Sequence, residues 1–133
     1  MKYIFLSFFL CGILFLTSCS AYKGQTNLDS NQWELVSLTG TAPNGERGLP
    51  YVMFTSGYGF SGYTGCNTFT GSYTLESSKL SLNPGIMTKM FCAESRETDF
   101  LIALKKVNGY KIIGNSLYLF DGNTELMKFR QKN

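Results

Sequence analysis

The chain has 133 residues and a formal net charge of +3, from 12 Lys and Arg against 9 Asp and Glu, and it contains no histidine. The basic residues are scattered, with Lys105-Lys106 the only adjacent pair, so the clustered stripe that nucleic-acid binding requires is missing. Without histidine a Ser–His nucleophile cannot be assembled, and cysteines alone are too few after the leader to complete a zinc tetrahedron.

In chain order, the first element is a leader. Met1-Lys2 is basic, Tyr3 to Leu16 is apolar apart from Ser7 and Gly12, and Leu16-Thr17-Ser18 brings small residues to Cys19. A basic start, a short apolar run and small residues at a cut describe a secretory signal peptide, here residues 1–18. A membrane span needs about 20 apolar residues, and this run stops short of that. The cysteine at the cut resembles the bacterial lipobox, in which Cys19 becomes the first mature residue and carries lipid. Secretion without lipid is the alternative reading of the same cut. Stable anchoring takes two or more acyl chains, which a lipoprotein cysteine supplies. Ser20 is not Asp, which in the enterobacterial sorting rule favours the outer membrane. The expected address is therefore the cell envelope, lipid-anchored, at the outer membrane.

Residues 19–30 are small and polar and read as a flexible tether, leaving residues 31–133 as one domain. Within it Cys66 and Cys92 form an even pair in an oxidising compartment, so a disulfide is expected; two free buried thiols are the other possibility.

The domain reads as many short strands. Strands are expected at Trp33–Leu38, Tyr51–Phe54, Tyr58–Tyr63, Phe69–Leu75 and Leu80–Leu82, with loops at Thr39–Gly48 and a turn at Glu76–Lys79. Asn83-Pro84-Gly85 is read as a break, with another short strand at Ile86–Met90. Between Ala93 and Asn108 the period changes: Phe100, Leu101, Leu104 and Val107 follow the spacing of an amphipathic helix. Acidic residues at its start and Lys105 and Lys106 at its end suit the helix dipole, and Ser95 is the expected cap. Three more strands, Tyr110–Ile113, Leu117–Phe120 and Leu126–Phe129, are joined by short turns. The expected fold class is α+β, mostly β: an antiparallel sheet curled into a partial or closed barrel with one packed helix.

Candidate chemistry is sparse. Gly57-Tyr58-Gly59-Phe60-Ser61-Gly62 matches G-x-G-x-x-G, but that motif holds a dinucleotide only where a strand turns into a helix, and here a β-like run follows. The domain has no Ser-x-x-Lys, and the mature chain no C-x-x-C and no identifiable carboxylate pair for glycoside hydrolysis. No catalytic, cofactor-binding or metal-binding residue is nominated, and no cofactor is expected. The aromatic residues Tyr51, Phe54, Tyr58, Phe60, Tyr63, Phe69 and Tyr73 read first as core; a cavity lining or a partner surface is the functional alternative, with any outward-facing Tyr the candidate.

Gly65-Cys66-Asn67-Thr68-Phe69-Thr70-Gly71-Ser72-Tyr73 resembles the G-C-N-x-aromatic-x-G-x-Y signature of the META domain, or HslJ-like, family. Thr88-Lys89-Met90-Phe91-Cys92, followed by Glu97, Phe100 and Leu104, resembles that family's second signature. Trp33-Glu34-Leu35 resembles its opening strand, and Tyr110–Leu119 its closing hairpin. The resemblance implies a small β-rich domain, pairing of Cys66 with Cys92, and an exported or lipid-anchored protein associated with stress response or antibiotic tolerance. It implies no activity or cofactor. Asn67 is expected to satisfy backbone groups in a tight turn. The function expected is a non-catalytic envelope lipoprotein that binds or protects another envelope component, with the membrane and an envelope protein as partners. A small apolar-ligand carrier with a cavity inside the barrel is the alternative, and an enzyme or enzyme inhibitor the third reading.

Overall fold

The structure, a computed structural model, describes residues 27–29 and 31–133. The expected leader, the lipid-bearing Cys19 and nearly all of the tether lie outside the described residues. Eight strands and one helix follow one another: β1 (Gln32–Leu38), β2 (Tyr51–Thr55), β3 (Gly59–Tyr63), β4 (Thr68–Glu76), β5 (Lys79–Met87), α1 (Glu97–Lys106), β6 (Gly109–Ile113), β7 (Ser116–Asp121) and β8 (Thr124–Lys132). They make a single antiparallel sheet in the order β5-β4-β3-β2-β1-β8-β7-β6, curled into a half-barrel. The described residues are thus mostly β with one helix, as the alternation implies.

Alternation dictates which side chains fill the curl. Phe69 and Tyr73 of β4 are buried while Thr68, Thr70, Ser72 and Thr74 face out. Trp33 and Leu35 of β1, Val52 and Phe54 of β2, Phe60 of β3, Leu117 and Leu119 of β7, and Met127 and Phe129 of β8 join them. Phe60 packs between Phe54 and Phe69 at ring separations of 5.1 and 5.2 Å. Each large apolar side chain buried this way contributes about 1.5–3 kcal/mol. The exposed pairing of Arg130 with Glu34 at 2.8 Å is worth no more than about 1 kcal/mol, so the filled interior holds the fold. The interior is packed with side chains.

The sheet's two free edges, β5 and β6, approach each other through the Leu80 amide, which donates to the Asn108 carbonyl at 3.3 Å. Helix α1 lies beside this seam and buries Phe100, Ala103 and Leu104. Its length is shorter than the period suggested. The helix starts at Glu97, because Cys92 is tied by its disulfide and Glu94 has a left-handed backbone, φ 59°. Ser95 therefore precedes the cap position instead of filling it; Arg96 stands there, with no side-chain capping bond.

A second correction concerns β5. Asn83-Pro84-Gly85 does not break the strand, and the two short strands expected on either side are one. Proline is tolerated because β5 is an edge strand. The ladder with β4 slips by one residue there, from Phe69↔Met87 to Thr70↔Gly85, and Gly85 adopts φ 64°. The Asn83 side chain accepts a hydrogen bond from the Gly85 amide at 3.1 Å. Gly71 on β4 makes room for this bulge: a Cβ there would overlap the Asn83 carbonyl oxygen and lie 2.6 Å from the Pro84 carbonyl carbon. Gly71→Ala is accordingly expected to cost about 2–3 kcal/mol by overpacking, seen as a lower urea midpoint. An unchanged midpoint would show that the bulge shifts freely.

Candidate functional site

Both cysteines named from the sequence meet at one end of the half-barrel. Cys66 and Cys92 form a disulfide across a separation of 26 residues, with Cα atoms 5.9 Å apart. Beside it lies a network that joins the β3–β4 turn, the chain leaving β5 and the first residue of α1. Within the turn, the Thr64 amide donates to the Asn67 carbonyl at 2.9 Å. The Thr64 hydroxyl oxygen accepts from the amides of Cys66 and Asn67 at 3.2 and 2.9 Å, and donates to the Glu97 carboxylate.

Asn67 is 1% exposed, and its side-chain amide uses every bonding position it has. Oδ1 accepts from the Met90 amide at 2.7 Å and the Thr88 hydroxyl at 2.8 Å. Nδ2 donates to the Met90 carbonyl at 3.0 Å and to Glu97 Oε2 at 3.0 Å. The tight-turn role expected of Asn67 is only half of what it does, since its side chain reaches more than twenty residues along the chain. No lone pair or proton of this amide remains for a substrate. Between Arg47, Thr64, Ala93, Arg96 and Phe100 a cleft of about 50 Å3 remains, room for a few waters at most. This end is a clamp.

Among the described residues the opposite end is open. There the turns β2–β3 and β4–β5 and strand β6 frame a groove of about 1160 Å3. Its lining includes Tyr58, Tyr73 and Tyr110, the aliphatic Leu28, Leu75 and Ile112, Asp29, Ser56, Ser77 and Ser78, and Lys111, whose ammonium lies over the Phe120 ring at 5.5 Å. Tyr73 is the buried floor, 9% exposed. Phe54 meets it edge-on at 5.2 Å and Tyr58 lies against it at 5.5 Å. Burial, with Asp29, Tyr58 and Tyr110 nearby, pushes the Tyr73 phenol above its ordinary range.

Tyr58 is 58% exposed and has φ 65°, directly after Gly57 at φ 88°. Two consecutive positive φ values suit a tight hairpin turn, yet for a residue with a Cβ that region costs about 1–2 kcal/mol. The seven aromatics picked out by sequence divide accordingly. Phe54, Phe60, Phe69 and Tyr73 are core; Tyr51 and Tyr63 face outward as a pair 6.1 Å apart; Tyr58 stands at the groove. In sequence Tyr110 and Lys111 read only as part of the closing hairpin and Asp29 as part of the tether, and only the topology brings them to Tyr58. A second exposed apolar group, Ile86, Met90 and Phe91, borders the clamp and was equally silent in sequence; Phe91 is 91% exposed.

A mostly antiparallel half-barrel, closed at one end by a disulfide and a buried asparagine and covered by one helix, defines a class of small β-rich domains. The META domain profile matches residues 26–133, and the chain belongs to the META domain family. No curated protein matches it. Among solved structures it is similar to a protein solved by NMR, with 22% identity and a TM-score of 0.63 over 77% of this chain and 90% of that one. A protein from Burkholderia xenovorans, also solved by NMR, is 26% identical with a TM-score of 0.60, covering 80% and 84%. A crystal structure of a DUF4847 family protein from Bacteroides vulgatus has 18% identity and a TM-score of 0.59, covering 77% and 93%. These likenesses concern the fold.

The clamp yields two expectations. Replacing Cys66 and Cys92 together by Ser should lower stability by about 3–4 kcal/mol in the chain-entropy view, and reductant should bring the parent's Tm down to the variant's. Equal Tm values under oxidising conditions would mean the bond adds nothing. Asn67→Ala strands the Met90 amide and carbonyl together, so a loss of about 2–4 kcal/mol is expected in chemical denaturation. Asn67→Asp should be at least as costly, because it removes both N–H donors and faces Glu97 with a second carboxylate.

Proposed function

We propose that this META-family chain is a non-catalytic lipoprotein of the bacterial envelope, held at the outer membrane through lipid on Cys19, whose domain binds or protects another envelope component. The observation that carries the reading is the agreement of two independent features: a lipobox-like cut at Cys19 and a disulfide deep in the domain. Disulfides persist in oxidising compartments, so Cys66–Cys92 favours the same address as the leader. The chain enters the domain at Asn27, on the rim of the open groove. Asn27 lies eight steps along the chain from Cys19, a reach of at most about 29 Å when fully extended. The groove end would then face the membrane, and the clamp with Phe91 would face away.

The family resemblance connects such a protein with stress response or antibiotic tolerance, and a binding role is the way a chain of this kind would contribute.

Crosslinking of the full-length protein in intact cells, with Cys19→Ala as control and a palmitate analogue as label, tests the proposal. Label on the parent alone, release of Cys19→Ala from the membrane fraction, and one dominant anchor-dependent partner are expected. A Cys19→Ala form that stays in the membrane fraction would overturn the anchor, and the absence of a reproducible partner would overturn the binding role.

A further inference from the structure

We infer that the open end of the half-barrel is a binding site for an uncharged oligosaccharide, with Tyr58 as its principal contact. The inference rests on the reading of the chain as a binding module and not on its lipid. Three phenols from three separate elements line one groove: Tyr58 from the β2–β3 turn, Tyr73 from β4 and Tyr110 from β6. A tyrosine offers an apolar ring face and a hydroxyl at its edge. A sugar ring offers the complement, a face of C–H groups and a rim of hydroxyls.

The rest of the lining narrows the ligand. A fatty acyl chain would press hydrocarbon against Asp29 and the serine hydroxyls, which would lose water without gaining a partner. The Lys111 ammonium lies over the Phe120 ring at 5.5 Å, so a phosphorylated or carboxylated ligand would meet the Asp29 carboxylate without that cation to offset it. A neutral polyhydroxylated compound satisfies Asp29 by hydrogen bonding and covers the rings. The groove, at about 1160 Å3, is larger than most small-molecule sites and open along one side, which suits several linked sugar rings better than one enclosed molecule.

Tyr58 itself supplies the independent observation. A glycine would be the economical residue in its left-handed backbone, φ 65°. The chain instead carries a large aromatic ring there, more than half exposed. Strained backbone positions cluster where function requires them, and this one lifts an aromatic ring over the buried Tyr73 at 5.5 Å.

The test titrates the full-length chain, kept in a sugar-free zwitterionic detergent, with chitotetraose and with cellotetraose. Tyrosine ring signals are followed by NMR. Saturable shifts at Tyr58, Tyr73 and Tyr110 with at least one tetrasaccharide below about 10 mM are expected. Tyr58→Gly should weaken that binding at least about tenfold without lowering Tm appreciably, because it relieves the backbone while removing the ring. Tyr110→Phe, which keeps the ring and removes one hydroxyl, should weaken it less but measurably. The inference is overturned by no saturable shift with either sugar, by affinity that neither variant alters, or by shifts that map to the Phe91 end. Saturation by lauric acid in place of the sugars would also overturn it, in favour of an apolar ligand. The titration uses purified chain and the crosslinking uses cells, so either reading can fail while the other stands.

Discussion

One side-chain amide carries the β4–β5 pairing past its last backbone bond, Thr88 amide to Thr68 carbonyl, and ties it to the helix. Asn67 bonds Met90 through both its carbonyl oxygen and its nitrogen, as a paired strand residue would, and bonds Glu97 as well. The turn before β4, the segment leaving β5 and the start of α1 are thereby held in register. In a buried place each unmet partner costs about 1–3 kcal/mol, a large share of the 5–15 kcal/mol typical of a whole domain. The disulfide alongside adds a different kind of constraint. It limits the unfolded chain, whereas the amide selects one arrangement of the folded one. The helix start depends on both: the disulfide stops the helix from extending toward Cys92, and Glu97 ties its first residue to the turn.

The curl of the sheet depends on where side chains are missing. At Gly62 a Cβ would overlap the Tyr51 carbonyl oxygen and crowd the Phe69 ring, and at Gly71 it would meet the β5 bulge. These positions let neighbouring strands bend together, which brings the inner aromatic rings of β2, β3 and β4 into contact. The bulge at Pro84-Gly85 then carries the edge strand toward the helix. Small residues on the bend and large ones inside it are two halves of one packing solution.

Sequence alternation made most of the fold legible. Seven strands were recognisable as units because apolar residues recur at every second position and Gly or Asn-rich turns bound them. β5 was not, because Pro84 and Gly85 read as a break unless an edge position and a bulge are known in advance, and both are tertiary facts. The helix was recognised by period, but its start was misplaced, since capping preference is local and the disulfide is not. Of the site residues, Cys66 and Cys92 were legible through compartment chemistry. Asn67 stood out as a motif residue, yet its partners Thr88, Met90 and Glu97 lie in segments that only the folded chain brings near. Tyr110 was legible as a strand residue and Asp29 as part of a tether, but nothing in the sequence brought either to Tyr58.

The two ends of the half-barrel resolve the same physical problem in opposite ways. Polar groups at the clamp end are buried and fully bonded to one another, so that end contributes order and has nothing left to offer a ligand. At the groove end, phenols, serines and the Asp29 carboxylate remain around open space, and the backbone at Tyr58 is held in an unfavourable region. Strain of about 1–2 kcal/mol can persist only if the rest of the domain holds the turn in place. The rigid core beneath it does so: Tyr73 packs against Phe54, Phe54 against Phe60, and Phe60 against Phe69. An aromatic ladder that runs from the interior to the mouth thus supports an exposed ring at its last step. Stability is concentrated where the chain is closed, and recognition becomes possible where it is not.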